Sequence, residues 1–504
     1  MITVCSCIDR ARQTVAVDEE PTIFPDYKDV TIPPNIAPIV FAPVDSTIES
    51  AFATFEAAGN AVVVKMKKGQ FAIPASAWRK LLRAAVGTTI QVTLEIGRDG
   101  SWSRYKPFII NVSSDAIDPY IAYRLIEPGY ELWNEMGIYQ RHIENFDESP
   151  IVRNTHTKYN CMNCHSFCMQ NPETMLFHYR ESYAGTMLLK NNNIEKLNTK
   201  TDKTISPLVY PSWHPSGKFV AFSVNSTKQV FHTTDPNRIE VFDLASDVVV
   251  YDVERHEIVT SPLVFSEASF ETFPTFSPDG KTLYFCTAEA LEMPISSSDV
   301  TLKHARMFYH PESALDMPAN YKELKYSLCA VSFDPETRRF GTRVDTLYNA
   351  KRLKKSVSFP RVSPDGQFLM FTLASYGNFS IWHKDADLYL LALKSGRITA
   401  LDVLNSSDVE SYHSWSSNSR WVVFSSRRID GLYTRPFFAH IDENGTVSKP
   451  FLLPQKDVDF YHRFMKSYNV PEFITGKVKK TSYDFSRKAI NDNGIDLKFA
   501  GLSN

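Results

Sequence analysis

The residues best equipped for chemistry are Cys161-Met162-Asn163-Cys164-His165, followed directly by Ser166, Phe167 and Cys168. Two thiols three positions apart with an imidazole next in line match the spacing at which cysteines bond a haem's vinyl groups while the histidine ligates its iron. On this reading haem c is held by Cys161 and Cys164, His165 is the proximal ligand, and His178 is the expected sixth ligand. A strand through Met175-Leu176-Phe177-His178 puts Met175 and His178 on opposite faces, so only one of them can face the motif. Two other chemistries fit the same residues. Zinc would take Cys161, Cys164 and Cys168 together with a histidine. A Cys161–Cys164 or Cys164–Cys168 disulfide would suit an oxidising compartment. Spacing alone does not choose among the three.

Elsewhere the chain offers little to a catalyst. It has no nucleophile elbow, no phosphate-cradling glycine loop and no H-E-x-x-H. Asp385, Asp387 and Glu410 are scattered and read as solvated loop residues, while His383, His413 and His440 lie in or near strand-like runs. A formal net charge of −2 lacks the basic excess that non-specific nucleic-acid binding requires. No apolar run is long enough to span a bilayer. Cys286 and Cys329 sit in apolar runs and read as small buried hydrophobes. At the N-terminus, Val4-Cys5-Ser6-Cys7 resembles the end of a bacterial lipoprotein signal, with Cys7 as the lipid-bearing residue. The stretch before it is too short to be a complete signal peptide.

The elements that would hold the motif are mostly strands. Phe, Tyr and Trp make up 13% of the chain, which favours strands over helices. Within 31–115, strand-like runs alternate with turns such as Gly97-Arg98-Asp99-Gly100. One helix is predicted over 75–85, with Trp78, Leu81, Leu82 and Ala85 on one face. This pattern predicts an immunoglobulin- or fibronectin-like β-sandwich. Residues 1–30 read as a lead-in and 116–155 as a connector with a short helix near Tyr130–Met136.

From there a repeat sets the architecture. Trp213-His214-Pro215-Ser216-Gly217-Lys218, Phe276-Ser277-Pro278-Asp279-Gly280-Lys281 and Val362-Ser363-Pro364-Asp365-Gly366-Gln367 each join two strands by a tight turn. Trp415-Ser416-Ser417-Asn418-Ser419-Arg420 is a degenerate fourth copy. In the first three, proline presets φ, Asp or Ser bonds back to the backbone, and glycine takes the positive-φ position. Four strands per unit describe a propeller blade. The Cys-His stretch falls where a blade over 156–200 would begin, and is expected to replace that blade's Ser-Pro-Asp-Gly turn. Five blades are countable, and a sixth is expected from the connector or the tail. The second unit carries a polar insertion near 290–326.

The Ser-Pro-Asp-Gly-Lys turns resemble the TolB-like β-propeller repeat family over about residues 150–455. Together with the N-terminal sandwich and the N-C-x-x-C-H-S-F stretch, they resemble a group of TolB-like exported proteins of Bacteroidetes. The resemblance implies an all-β chain with the propeller at 156–455. It implies a periplasmic or outer-membrane-associated location, with a lipid anchor if Cys7 is modified. It also implies a binding or scaffold role toward a cell-envelope protein rather than an enzymatic one. The tail, 456–504, is expected to pack on the propeller and to be loosely held beyond Lys477.

Overall fold

The computed structural model describes residues 13–45, 47–128, 134–232, 234–290 and 321–502. The lipidation candidate Cys7 and most of the 290–326 insertion lie outside them, as do residues 130–133 of the helix expected in the connector. Asn134–Met136 are not helical. The chain divides into two compact units.

The first unit comprises the described residues up to Ile117, together with Ile143–Phe146 and Ser448–Phe464. Its main sheet is built on Thr89–Arg98, which pairs antiparallel with Ser50–Ala57, Ser101–Arg104 and Phe108–Val112. Two short strands, Thr14–Ala16 and Thr31–Ile32, add in parallel at its margins. Ile23–Phe24, Val40–Pro43 and Phe71–Ala72 form a smaller antiparallel sheet. The predicted helix is present as Ala75–Ala85, with Trp78, Leu81, Leu82 and Ala85 buried. Asp99 and Gly100 take the positive-φ positions of their hairpin.

The second unit holds Asp118–His142, Asp147–Val447 and the described chain from Met465 onward. It is a succession of antiparallel sheets, each starting from an inner strand. The inner strands are Met162–Phe167, Leu208–Trp213, Ser269–Phe276, Ser356–Val362, Glu410–Trp415 and Ser467–Ile474. Each contacts the next, and the last contacts the first, so the six close into a ring. The four glycine and serine turns behave as their composition dictates or nearly so. Gly217, Gly280 and Gly366 have φ of 66, 72 and 72°, and Ser419 stands in at 61°. A Cβ on Gly280 would run into the His214 ring.

Three expectations need correction. The stretch at 116–155 is not a linker: Tyr120–Ile126, Gly137–His142 and Glu148–Arg153 form a sheet whose inner strand is Ser467–Ile474 from the tail. Ile121, Ala122 and Tyr123 are all buried, so no clean period-two pattern marks Tyr120–Ile126 as a strand. The end of the chain is not loosely held. Ser482–Asn491 is a helix opened by a Thr481/Asp484 capping box, and Ile495–Asp496 and Lys498–Leu502 add parallel strands to the edges of two sheets. Finally, the Cys-His motif does not replace a turn. It lies in the inner strand Met162–Phe167, and the turn is made by Cys168–Thr174 behind it.

Candidate functional site

All six inner strands share one backbone irregularity. Each has a non-glycine residue in the left-handed region: Cys164 (φ 54°), Tyr210 (49°), Phe273 (50°), Phe359 (51°), Tyr412 (49°) and Val470 (49°). At each one the pairing with the neighbouring strand slips, as a β-bulge requires. A bulge re-aims a side chain, and here the re-aimed side chains converge. The Tyr210 and Phe273 rings lie 4.6 Å apart, Phe273 and Phe359 4.1 Å, and Phe359 and Tyr412 4.8 Å, centroid to centroid. Val470 packs on the same cluster.

The sequence carries the signature of this arrangement. Cys164-His165-Ser166-Phe167 aligns with Tyr210-Pro211-Ser212-Trp213, Phe273-Pro274-Thr275-Phe276, Phe359-Pro360-Arg361-Val362, Tyr412-His413-Ser414-Trp415 and Val470-Pro471-Glu472-Phe473. Cys164 and His165 therefore occupy a repeat position that takes an apolar or aromatic residue and then proline or histidine. The fourth residue ties neighbouring strands together: Trp213 Nε1 donates to the Ser166 carbonyl at 3.2 Å and Trp415 Nε1 to the Arg361 carbonyl at 3.0 Å.

A cavity of about 360 Å³ opens over this aromatic cluster. Cys161, Cys164 and His165 border it, as do Tyr210, Tyr412 and His413. One wall is a long hairpin, Phe219–Phe231 and Ile239–Asp252, which contributes Gln229, Ile239 and Val241. Buried acids fasten this hairpin to the 376–384 loop. Glu240 accepts from the Tyr376 hydroxyl at 2.6 Å and meets His383 Nε2 at 3.1 Å. Asp243 accepts from Tyr326 at 2.7 Å and from Asn378. His383 is thus part of this fastening.

The side chains singled out from sequence separate. His165 is 2% exposed, and burial holds its pKa down at about 3, so the ring is neutral. Neither ring nitrogen has a partner among the described residues; the Val470 backbone lies beside it, outside hydrogen-bond geometry. Cys161 and Cys164 carry free thiols, and burial raises that of Cys161. His178 borders an adjoining cavity, of about 460 Å³, between the sheets of Met162–Phe167 and Leu208–Trp213, and Cys164 borders both cavities. Its Nδ1 lies 2.7 Å from the Thr186 hydroxyl, and burial lowers its pKa to about 3. Met175 packs into a separate apolar cluster, so the two faces of the strand differ as alternation requires.

Cys168 is apart from the other thiols. It lies against the His214 carbonyl, 3.7 Å away, and burial pushes its pKa up to about 11. Among the described residues no three His, Cys, Asp or Glu side chains are grouped to hold a metal. The zinc set of Cys161, Cys164 and Cys168 is therefore not assembled, because the strand carries Cys168 beyond the bulge to the next turn. Cys286 and Cys329 are buried as expected. Glu410, read from sequence as a solvated residue, is fully buried on an inner strand and pairs with Arg428 at 2.9 Å. Asp385 is exposed and accepts from Ser375 N at 2.8 Å.

The residues that sequence reasoning missed are arginines. Arg124, Arg180, Arg361 and Arg427 border the central cavity, each from a different sheet. No local signal marks them, because each is an ordinary strand-end arginine until the ring brings them together.

Comparison with protein families and with curated proteins found no match. Among solved structures the chain is similar to the tricorn protease, at 12% identity and a TM-score of 0.35, covering 74% of this chain and 34% of that one. It is similar to prolyl oligopeptidase B from Galerina marginata at 11% identity and a TM-score of 0.33, covering 59% and 38%. It is also similar to an oligogalacturonate lyase in complex with manganese at 9% identity and a TM-score of 0.25, covering 87% and 99%. The chain thus spans little more than a third of the first two proteins. At these scores the likenesses carry no inference about activity. No helix among the described residues is long and apolar enough to cross a membrane.

Proposed function

We propose that this protein is a six-bladed, TolB-like β-propeller of the cell envelope that works by binding, and that it takes its ligand in the cavity over the aromatic cluster. One observation carries the reading: buried polar atoms without partners among the described residues, on His165, Nδ1 of His413 and Nε of Arg427, belong to residues that border a single cavity. Buried polar groups are nearly always satisfied, so a group of exceptions around one space marks a place where something else completes them. The hairpin fastened across the cavity gives that space a defined wall. The test is to recover the full chain from the cells that make it, fractionate, and compare native with denatured intact mass. The expected result is envelope fractionation and a ligand mass that is lost in Thr227→Trp, which fills the cavity. Cytoplasmic fractionation with no bound mass would overturn the proposal.

A second reading, one covalent haem c, rests on Cys161, Cys164 and His165 bordering the same cavity with free thiols and an unpartnered imidazole. Those three residues would hold the group, which supplies one-electron redox chemistry when bound. His178 borders the adjoining cavity, which shares Cys164 with this one. A pyridine haemochrome spectrum of protein matured in a host that attaches c-type haem checks it. A colourless product excludes it.

A further inference from the structure

Four guanidinium groups border the central cavity; Arg361 has the Glu472 carboxylate acting on it, and the other three have no carboxylate within ion-pair distance among the described residues. Arg124 rises from Tyr120–Ile126; its Nη1 donates to the Met162 carbonyl at 3.2 Å, and its Nε has no partner. Arg180 follows Met175–Tyr179 and meets only a neutral amide. With its carbonyl turned toward Arg180, Asn163 accepts from Nη2 and Nε at 2.8 and 3.0 Å. Arg427 follows Trp421–Ser426, is 5% exposed, and lies with its guanidinium carbon 3.2 Å from the Trp382 ring centroid. Its Nε also lacks a partner. Two acids also border the cavity: Glu127 is engaged by Lys466 at 3.2 Å, and Glu181 is exposed to solvent. Asp408 and Asp430 act on Arg427 only from farther away.

The three groups act on common neighbours. Tyr412 feels Arg124 and Arg427, Tyr210 feels Arg180, and Cys161 feels Arg124 and Arg180. Burial raises the pKa of both tyrosines, so their hydroxyls remain protonated donors. Arg427 is buried, Arg124 half-buried and Arg180 exposed; burying a guanidinium without a counter-charge is costly, and bringing like charges together adds repulsion. An anion seated among them offsets both costs and takes charge-assisted hydrogen bonds from the planar guanidinium forks. Around this polar end the walls are apolar and aromatic: Trp382, Phe359, Phe379 and Ile381, with Ile239 and Val241 from the hairpin. The volume falls at the small end of the about 300–1,000 Å³ typical of ligand pockets.

We infer that the central cavity binds a small organic anion, a carboxylate or a phosphate ester with an aromatic or aliphatic body, through Arg124, Arg180 and Arg427 with Tyr210 and Tyr412. The inference rests on the proposal above that this cavity is the binding site, and names the class of ligand it takes.

Thermal-shift and calorimetric titrations of the full chain test it, with phenyl phosphate and benzoate as anionic probes and benzyl alcohol as the neutral one. Saturable binding of at least one anion, with benzyl alcohol much weaker, is the expected result. The preferred anion distinguishes a phosphate from a carboxylate ligand. Arg427→Gln and Arg124→Gln should each weaken binding by about tenfold or more, as loss of a charge-assisted pair does. Tyr412→Phe, which keeps the packed ring, should weaken it less. Equal affinity for benzyl alcohol and the anions, displaced by Thr227→Trp, overturns the anion inference while leaving the cavity as a binding site. Anion binding that survives both arginine substitutions and Thr227→Trp overturns the inference as well, by placing the anion elsewhere. Failure of every probe to bind the wild-type chain overturns it directly, whatever the folding of the variants.

Discussion

Glu271 stands on the inner strand Ser269–Phe276 with 2% of its surface exposed. Thr287 donates to its Oε1 at 3.2 Å, while Oε2 has no partner among the described residues. Burial raises its carboxyl to about 7; Asp247 adds to the rise, and hydrogen bonds from Ser269 and Thr287 oppose it. An unfolded glutamate titrates near about 4.3. Between that value and the folded one, the native chain keeps a proton that the unfolded chain has released, so stability falls as pH rises through this window. Glu271→Gln should flatten the fall and stabilise the protein by about 2 kcal/mol at about pH 8, with little effect at about pH 4. Urea denaturation at the two pH values measures it, and equal stabilisation at both would contradict the assignment. Backbone conformation, not titration, gives Cys164 a structural role at its bulge. A left-handed, non-glycine residue costs about 1–3 kcal/mol, and here that cost recurs six times around one axis.

At the scale of the element, the terminal helix Ser482–Asn491 is held at both ends. Its N-terminus has the Thr481/Asp484 box, and its C-terminus has Lys196, whose Nζ donates to the Ala489 and Asp492 carbonyls at 2.9 and 3.1 Å. A cation at a helix C-terminus meets the orphan carbonyls and the negative end of the dipole. Lys196→Met should cost about 1–2 kcal/mol and speed hydrogen exchange across 482–491 relative to the neighbouring strands. Unchanged exchange there would show the contact to be idle.

Neither end of this helix was legible as such, because Lys196 is far away in sequence and Thr481-x-x-Asp484 ends in aspartate rather than the usual glutamate. The turns were legible, since Ser-Pro-Asp-Gly states its own conformation. The bulges were legible in principle. The residues needed were the four ahead of each turn, where Cys164-His165 lines up with Tyr210-Pro211 and Tyr412-His413. A motif with a familiar chemical reading drew attention from the repeat it belongs to. The arginine cluster was not legible at all, since Arg124, Arg180 and Arg427 become neighbours only when separate sheets meet.

Across the whole molecule, the ring of inner strands is completed by Ser467–Ile474, which pairs with Tyr120–Ile126 and sets Tyr468 against Tyr123, ring centroids 4.7 Å apart. Most of the second unit is built from strands that neighbour one another in sequence; this sheet joins residues more than 300 positions apart. A chain ending after Lys466 leaves the Tyr120–Ile126 edge unpaired and its apolar face uncovered, the condition under which strands recruit other chains. Such a chain should lose the cooperative unfolding transition of the full protein, become cleavable by protease within 120–153, and aggregate. A single transition at the wild-type Tm would show the closing strand to be dispensable. The arrangement also has a consequence in time. A ribosome reading this message makes five inner strands before the one that lets them close. The nascent chain must therefore remain unfinished, with one seam open, until Ser467–Ile474 has been synthesised, whatever compartment it then enters.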